Sequence, residues 1–481
     1  MFALRRHGFI SGLSCRMAVM GSVLLPCAAL AQTFDPDAIE ALLKAEAAPG
    51  AQAPRAAMPA PPQGSVETHA AAQPSTPKPA PEDLYLSKDP QPTFTTETAR
   101  LTEEAAQNYL TIVEAGGWPV VPSGVKLAPG VTGPAVATLK ERLAIGGDLD
   151  ATAASGDAYD AAVEAAVKRF QERHGLEQTG AIGGQTLRAL NITAIARYNQ
   201  LLASARRLRA IKFAFGPRYV VVNIPSANVE AIEEGKVIRR YIAVVGKTDH
   251  PSPTVEAKIT SINLNPTWTV PASIVKNEII PHMQANPGYL AKEHIRILDQ
   301  AGAEVNPATI DWATNSAASF TLRQDSGETN SLGTLRIDMP NKDAVYMHDT
   351  PSKSLFSASV RFGSHGCVRV SKVEDLAAWL LENNSGADPS SGSGWTAQTL
   401  DAAIALGTRM DVKLTKPVPV AWVYLTGYAT PDHVVHFRND VYDLDNGVDT
   451  TPTASIPPHP QQQSSVAPGK PVTPVTKSLL E

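Results

Sequence analysis

Apolar residues recur every three or four positions between residues 98 and 190, and from residue 219 onward they gather into β-branched runs. Leu101, Ala105, Tyr109 and Ile112 fall on one face of a helix predicted over 98–115 and ended by Gly116-Gly117. Leu139 and Leu143 share a face of a second helix. A third starts near Asp160 and aligns Val163, Val167 and Phe170 at i, i+4 and i+7, with Gly175 as its C-cap. Thr179-Gly180 turns the chain into a short helix bearing Leu187 and Leu190. Residues 191–215 read as a connecting helix on which Arg206, Arg207 and Arg209 form a solvated face.

The period then shortens. Residues 219–224, 237–245 and 257–264 read as strands, with Glu234-Gly235-Lys236 as a turn. Residues 265–311 interrupt them: Asn265-Pro266-Thr267-Trp268-Thr269-Val270-Pro271 leads into a helix near 272–284, and Asn286-Pro287-Gly288-Tyr289 follows. An insertion of that size in a small β domain is decoration or a lid over a cleft. Trp268 and Tyr289 are expected to pack the insertion's own core rather than to meet a ligand.

The ends are of another kind. Arg5, Arg6 and Arg16, a short apolar run at 17–25 and Ala29-Leu30-Ala31 predict a secretory signal peptide over 1–31, its apolar run too short to span a bilayer of about 30 Å. Arg5-Arg6 invites twin-arginine export, but His7-Gly8 fits that signal poorly, and the route stays open. Residues 47–81 hold nine prolines and few large apolar side chains, so 32–81 is expected to be a disordered Pro/Ala-rich linker. The tail 446–481, rich in Pro, Gln, Ser and Thr, is read the same way.

The 481 residues include 42 basic and 47 acidic side chains, a net charge of −5. Loss of residues 1–31 removes three arginines and no acid, so the mature chain is more acidic still. Such a chain makes a poor nucleic-acid partner, and no later stretch predicts membrane insertion. Cleavage also removes Cys15 and Cys27, leaving Cys367. In an oxidising exported compartment, here the periplasm, one thiol forms no internal disulfide. Either Cys367 is buried and inert or it is kept for its chemistry.

Its surroundings favour chemistry. Val345-Tyr346-Met347-His348-Asp349-Thr350-Pro351 ends a β run, and Ser364-His365-Gly366-Cys367-Val368-Arg369-Val370 follows. A glycine before the cysteine mounts a nucleophile at a tight turn and lets the N–H groups of Gly366 and Cys367 face a developing oxyanion. An imidazole is needed to take the thiol proton. His365, two residues away, shares a strand face with Cys367 at about 6–7 Å. His348, on another segment, can approach across the sheet and is the better placed, with Asp349 and Thr350 available to fix its tautomer. Zinc is disfavoured because His-x-Cys is not a usual ligand spacing and a fourth ligand is not evident. No metal or cofactor is called for.

Two sets of residues resemble known families. Val136-x-x-Leu139, Arg142-Leu143, Ala166-Val167-x-x-Phe170-Gln171, His174-Gly175-Leu176, Thr179-Gly180-x-Ile182-Gly183 and Thr186-Leu187 resemble the peptidoglycan-binding domain of cell-wall enzymes. That resemblance implies a small three-helix fold over 129–190 and a glycan-strand or stem-peptide partner. His348 with Ser364-His365-Gly366-Cys367-x-Arg369 resembles the signature of the L,D-transpeptidase (YkuD-type) catalytic domain. The likeness extends to Asn265-Pro266-x-Trp268-x-Val270-Pro271, Asn330-Ser331-Leu332-Gly333, Met339-Pro340-Asn341, His348-Asp349-Thr350-Pro351-Ser352-Lys353-x-Leu355-Phe356 and Phe437-Arg438-Asn439-Asp440. These are similar to the larger subfamily with a capping insertion. The implied fold is multidomain α+β: helical scaffold segments at 82–128 and 191–215, and a mainly-β YkuD-like catalytic domain over 216–445 with a helical lid at 265–311.

The resemblance also implies roles. Cys367 is the nucleophile, and His348 the general base and acid, its ring oriented by the backbone carbonyl of Asp349. Oxyanion donors fall on the backbone near His365, Gly366 and Cys367. Arg369 and Ser364 are candidate substrate contacts, Arg369 binding a stem carboxylate or bracing the turn. The implied reaction is transfer at the bond between meso-diaminopimelate and D-alanine, giving 3→3 cross-links through a thioester, with acylation by carbapenem-type β-lactams. Hydrolysis of the same bonds, attachment of a lipoprotein to the wall, and a non-catalytic wall-binding role remain the alternatives.

Overall fold

The computed structural model describes residues 86–382, 384 and 395–445. The expected signal peptide (1–31), linker (32–81) and tail (446–481) lie outside the described residues. Helix α1 (Thr98–Glu114) buries Leu101, Ala105 and Tyr109, the face its period predicts, and packs beside α5 (Ala194–Ala210). Between them lie α2 (Pro134–Ile145), α3 (Ala161–Arg173) and α4 (Gly184–Leu190). Their core joins Leu139, Leu143, Val163, Val167, Phe170 and Leu190, each fully buried. Asp160 caps α3 by accepting the Val163 N–H at 3.0 Å. Gln171 staples the turn that follows, accepting the Gly180 N–H at 2.9 Å and donating to the Ala181 carbonyl at 2.8 Å.

From Arg218 on, the chain is mainly β. Strands β1 (Arg218–Asn223), β2 (Asn228–Glu233), β3 (Lys236–Gly246) and β4 (Val255–Leu264) precede the insertion. The strand β2 is absent from the sequence expectation. It carries Asn228, Glu230 and Glu233, which break the apolar pattern, yet Glu230 is 1% exposed because Arg240 pairs with it at 2.8 Å and Thr93 donates to it at 2.9 Å.

The insertion forms a layer of its own: β5 (Trp268–Thr269), a helical run through Ala272–Ile274, Val275–Ile279 and Ile280–Ala285, then β6 (Ile295–Leu298), β7 (Glu304–Val305) and β8 (Thr321–Gln324). These strands pair in the order β5-β8-β6-β7. The lid expected over 265–311 therefore reaches at least Gln324, because β8 pairs with both β5 and β6. The middle segment of the helical run is a π turn. Pro281 lacks the N–H that would bond four residues back and its ring crowds that carbonyl, and a widened turn relieves both.

The main sheet resumes with β9 (Leu335–Asp338), β10 (Met347–His348), β11 (Phe362–Ser364), β12 (Val368–Val370) and β13 (Met410–Val423). The pairings run β3-β12-β10-β9-β4-β13-β1-β2, and β2 returns to β3, so eight strands close on themselves with β11 added on β3. Closure removes exposed edges. Alternation along β1 buries both faces: Val220 and Val222 join the main core, whereas Tyr219 and Val221 meet Phe94 and Leu208. Helix Val373–Leu381 adds Leu376, Trp379 and Leu380 to the main core. Tyr289 stacks on His282 at 4.6 Å within the insertion's own apolar cluster, as expected. No helix among the described residues is long and apolar enough to cross a membrane.

The end of α3 holds a buried ion pair. Arg173 Nε and Nη2 donate to the two oxygens of Asp148, each at 2.6 Å, and both side chains are nearly solvent-free. Asp148→Asn leaves that guanidinium enclosed without a counter-charge, and the expected loss of stability is about 3–5 kcal/mol. Urea denaturation checks it; a loss below about 1 kcal/mol, the worth of a surface pair, contradicts it.

Candidate functional site

Strand register places the candidate residues. The parallel pair β10 and β12 sets Met347 opposite Val368 and His348 opposite Arg369. Met347, Val368 and Val370 are fully buried in the main core. Side chains alternate along a strand, so Tyr346, His348, Cys367 and Arg369 share the other face. Strand β9 sets Arg336 opposite His348 and adds it to that face. These five side chains line a cleft of about 680 Å³, and Trp268, Ile274 and Glu278 of the insertion line it too.

The cysteine turn is braced from inside. Gly366 sits at φ +110°, a conformation that excludes a side chain at little cost only for glycine. Ser252 Oγ donates to the Gly366 carbonyl at 2.7 Å and accepts the Gly246 N–H at 2.9 Å. Ser364 is 2% exposed; its Oγ accepts the Gly366 N–H at 3.2 Å and donates to the Cys367 carbonyl. Two expectations change here. The Gly366 N–H is engaged by Ser364 and is no longer a free oxyanion donor. The Ser364 hydroxyl, expected at the substrate, is occupied in shaping the turn. His365 lines the cleft as well, and its Nε2 lies 2.6 Å from Glu278 Oε1 in the insertion. That hydrogen bond holds the Glu278 carboxyl below its ordinary range, against its burial, with help from the charges of His365, Lys247 and His282.

His348 is 6% exposed, and burial, then the charge of Arg369, brings its pKa down to about 3. The Asp349 backbone and carboxylate act in the other direction, and Arg336 adds to the lowering. Its Nδ1 is enclosed without a hydrogen-bond partner among the described residues, so the expected bond to the Asp349 carbonyl is not formed, although the Asp349 backbone lies close to the ring. The Asp349 side chain is anchored elsewhere, accepting the Thr334 N–H and hydroxyl at 3.0 Å each and pairing with Lys353.

Burial also raises the Cys367 thiol above its ordinary value; the Tyr346 backbone, Arg336, the Tyr346 hydroxyl and Arg369 pull it back in that order. Arg369 is lowered by its own burial and raised by Cys367 and Glu278. Its Nε is buried without a partner, and among the described residues no carboxylate pairs with it, so the bracing salt bridge is not formed. Tyr346, Arg336 and Glu278 line the cleft but are not singled out as site residues by the sequence. The Tyr346 hydroxyl lies beside Cys367 and Trp268. Arg336 lies over the Tyr346 ring at 4.5 Å and pairs with Asp338. Period two from His348 points to Tyr346; nothing local points to Glu278.

Residues 217–412 match the L,D-transpeptidase catalytic domain family, YkuD, and residues 132–190 match the "Putative peptidoglycan binding domain" family. A protein of Haemophilus influenzae named "Putative L,D-transpeptidase" is 31% identical over 251 residues, covering 52% of this chain and 48% of the relative. The chain thus spans about half the length of that relative. Among solved structures, an L,D-transpeptidase from Xylanimonas cellulosilytica shares 16% identity over 63% of this chain and 99% of its own, with a TM-score of 0.20. The LD transpeptidase LdtMt1, solved in complex with imipenem, shares 16% identity over 43% and 59%, with a TM-score of 0.21. Residues 217–412 are thus similar to a YkuD-type L,D-transpeptidase catalytic domain, and residues 132–190 to a peptidoglycan-binding domain.

The two pKa directions give a resting pair that is neutral at pH 7: a protonated thiol and an unprotonated imidazole. Alkylation of Cys367 by iodoacetamide, followed by mass spectrometry of its peptide, is expected to speed up continuously as pH rises through and beyond the ordinary thiol range near 8.5. A rate that stays flat down to about pH 5 would instead reveal a thiolate–imidazolium pair.

Proposed function

We propose that the chain is an exported peptidoglycan L,D-transpeptidase that forms 3→3 cross-links through a Cys367 thioester and releases D-alanine. The observation that supports this most is one face of one cleft holding a thiol, an enclosed neutral imidazole and a guanidinium without a carboxylate partner. With Nδ1 enclosed, Nε2 is the nitrogen of His348 available to the cleft, which corresponds to the Nδ1–H tautomer beside the Asp349 backbone. Cys367 attacks the carbonyl at the L-centre of a meso-diaminopimelate–D-alanine bond while His348 takes the thiol proton and passes it to the departing amine. The N–H of Cys367 is the oxyanion donor assigned here, since that of Gly366 is engaged. A side-chain amine of a second stem then attacks the thioester, and His348 takes its proton. Arg369 binds a carboxylate of the stem, and the Tyr346 hydroxyl positions the sulfur. The insertion limits water at the thioester, which favours transfer over hydrolysis. The three-helix domain holds the enzyme at the wall, residues 1–31 direct it to the periplasm, and carbapenem-type β-lactams acylate Cys367.

Incubation with purified disaccharide-tetrapeptide, read by mass spectrometry, tests the reading. Dimer formation with loss of D-alanine is expected, whereas water gain with the same loss denotes a hydrolase. Cys367→Ala is expected to abolish both products with folding intact, and His348→Ala to slow the reaction by about 10²–10⁴-fold. Cross-linking by the Cys367→Ala protein would sink the mechanism.

A further inference from the structure

A second cavity, of about 340 Å³, lies where the three-helix unit meets the β barrel. Residues such as Leu176 and Arg188 come from the helical side, and Ser359 to Phe362 and Phe437 to Asn439 from the other. The two sides are bonded together. Arg438 Nη1 donates to the Arg173 carbonyl at 2.8 Å, and Arg173 Nη1 donates to the Val435 carbonyl at 3.1 Å. Gly175, at φ +64°, lets the Arg438 guanidinium approach so closely that a Cβ would sit 2.8 Å from its Nε. The cavity is thus a fixed feature of the seam.

Its chemistry is one-sided. Arg188, Arg197, Arg361 and Arg438 line it, and among the described residues no carboxylate does. Arg197 is 3% exposed and lies over the Phe437 ring at 4.5 Å. Its Nη atoms donate to Gln200 Oε1 at 2.9 Å and the Ala189 carbonyl at 3.1 Å, while Nε has no partner. Arg438 Nε is also enclosed and without a partner. Behind them stand Arg142 and Arg173, and Asp148 is committed to Arg173. Arg142, Arg173 and Arg197 are buried, and among the described residues Asp148 is the carboxylate that pairs within this set, an arrangement that is unfavourable unless an anion completes it. Burial and the neighbouring charges of Arg142 and Arg173 lower Arg197 to about 9, the direction an unmet charge produces. Guanidinium forks match the planar carboxylate. The remaining lining, including Leu176, Ile192 and Phe362, is apolar and suits a peptide body over a small inorganic ion.

We propose that this seam cavity is a second, non-catalytic binding site for the carboxylate end of a peptidoglycan stem peptide. This rests on the reading of the chain as a wall enzyme. Segment 359–362 runs through β11 into the cysteine turn, so a stem bound here is held by the element that carries the nucleophile. Occupancy of the seam keeps the enzyme on a strand between reactions.

The test uses the full chain with Cys367→Ala, which does not turn over, and calorimetric titration with disaccharide-tetrapeptide. Two sites are expected. Arg188→Glu and Ser359→Asp, on exposed rims of opposite sides of the seam, are each expected to weaken one site by roughly tenfold or more and leave the other unchanged. The same fragment with its carboxyls amidated is expected to lose that site. A single site untouched by both substitutions overturns the proposal, as does inorganic phosphate displacing the fragment at equal concentration. Transfer assays on otherwise native protein separate the two readings. Transfer with one binding site sinks the seam site alone; seam binding without transfer sinks the catalytic reading and leaves the seam site standing.

Discussion

The candidate site depends on a pairing only two residues long. Strand β10 contributes Met347 and His348 to the sheet, and β12 meets them with Val368 and Arg369. A slip of one residue would turn the imidazole into the core and bring a methionine into the cleft. What prevents it lies on the opposite face. Met347 and Val368 are fully buried among Ile337, Val370 and Leu376, and each such side chain is worth about 1.5–3 kcal/mol in burial. The apolar packing of one face thereby fixes which side chains the other presents. Pairing with β9 extends the same logic to Arg336, so the charge beside the imidazole is set by register as well.

How much of this is legible in the sequence follows from how local each determinant is. Helices α1 and α3 were readable because Leu101, Ala105 and Tyr109, or Val163, Val167 and Phe170, lie within a few turns of one helix and set its period, even though α1 buries against Ala429 and Phe437 from far along the chain. The cysteine turn and His348 were readable because their residue types are unusual and close together. Strand β2 was not, since Glu230 reaches a buried position through Thr93 and Arg240, partners that no window around it contains. The end of the insertion was misplaced for the same reason: β8 belongs to it through pairing with β5 and β6, and its own four residues do not say so. Ser364 and Gly366 were read as facing a ligand because they flank the nucleophile. Their hydrogen bonds to each other and to Ser252 show that a tight turn first needs its own polar groups satisfied.

The electrostatics of the cleft fit the proposed chemistry in a way that neither residue shows alone. A thiol that burial keeps protonated is a poor target for oxidants, an advantage for a cysteine in the exported setting proposed here. The same environment leaves His348 a weak base at rest, held down first by burial and next by the charge of Arg369. In the proposed reaction a stem carboxylate seated on Arg369 offsets that charge. The repulsion between guanidinium and imidazolium then falls, and the imidazole becomes a stronger base when a substrate is in place. The bond between His365 and Glu278 ties the insertion to the element that carries the sulfur. Under the proposed function, binding, water exclusion and activation of the base act on one small group of side chains. An unoccupied cleft keeps its sulfur neutral, and an occupied one relieves the charge that restrained its base.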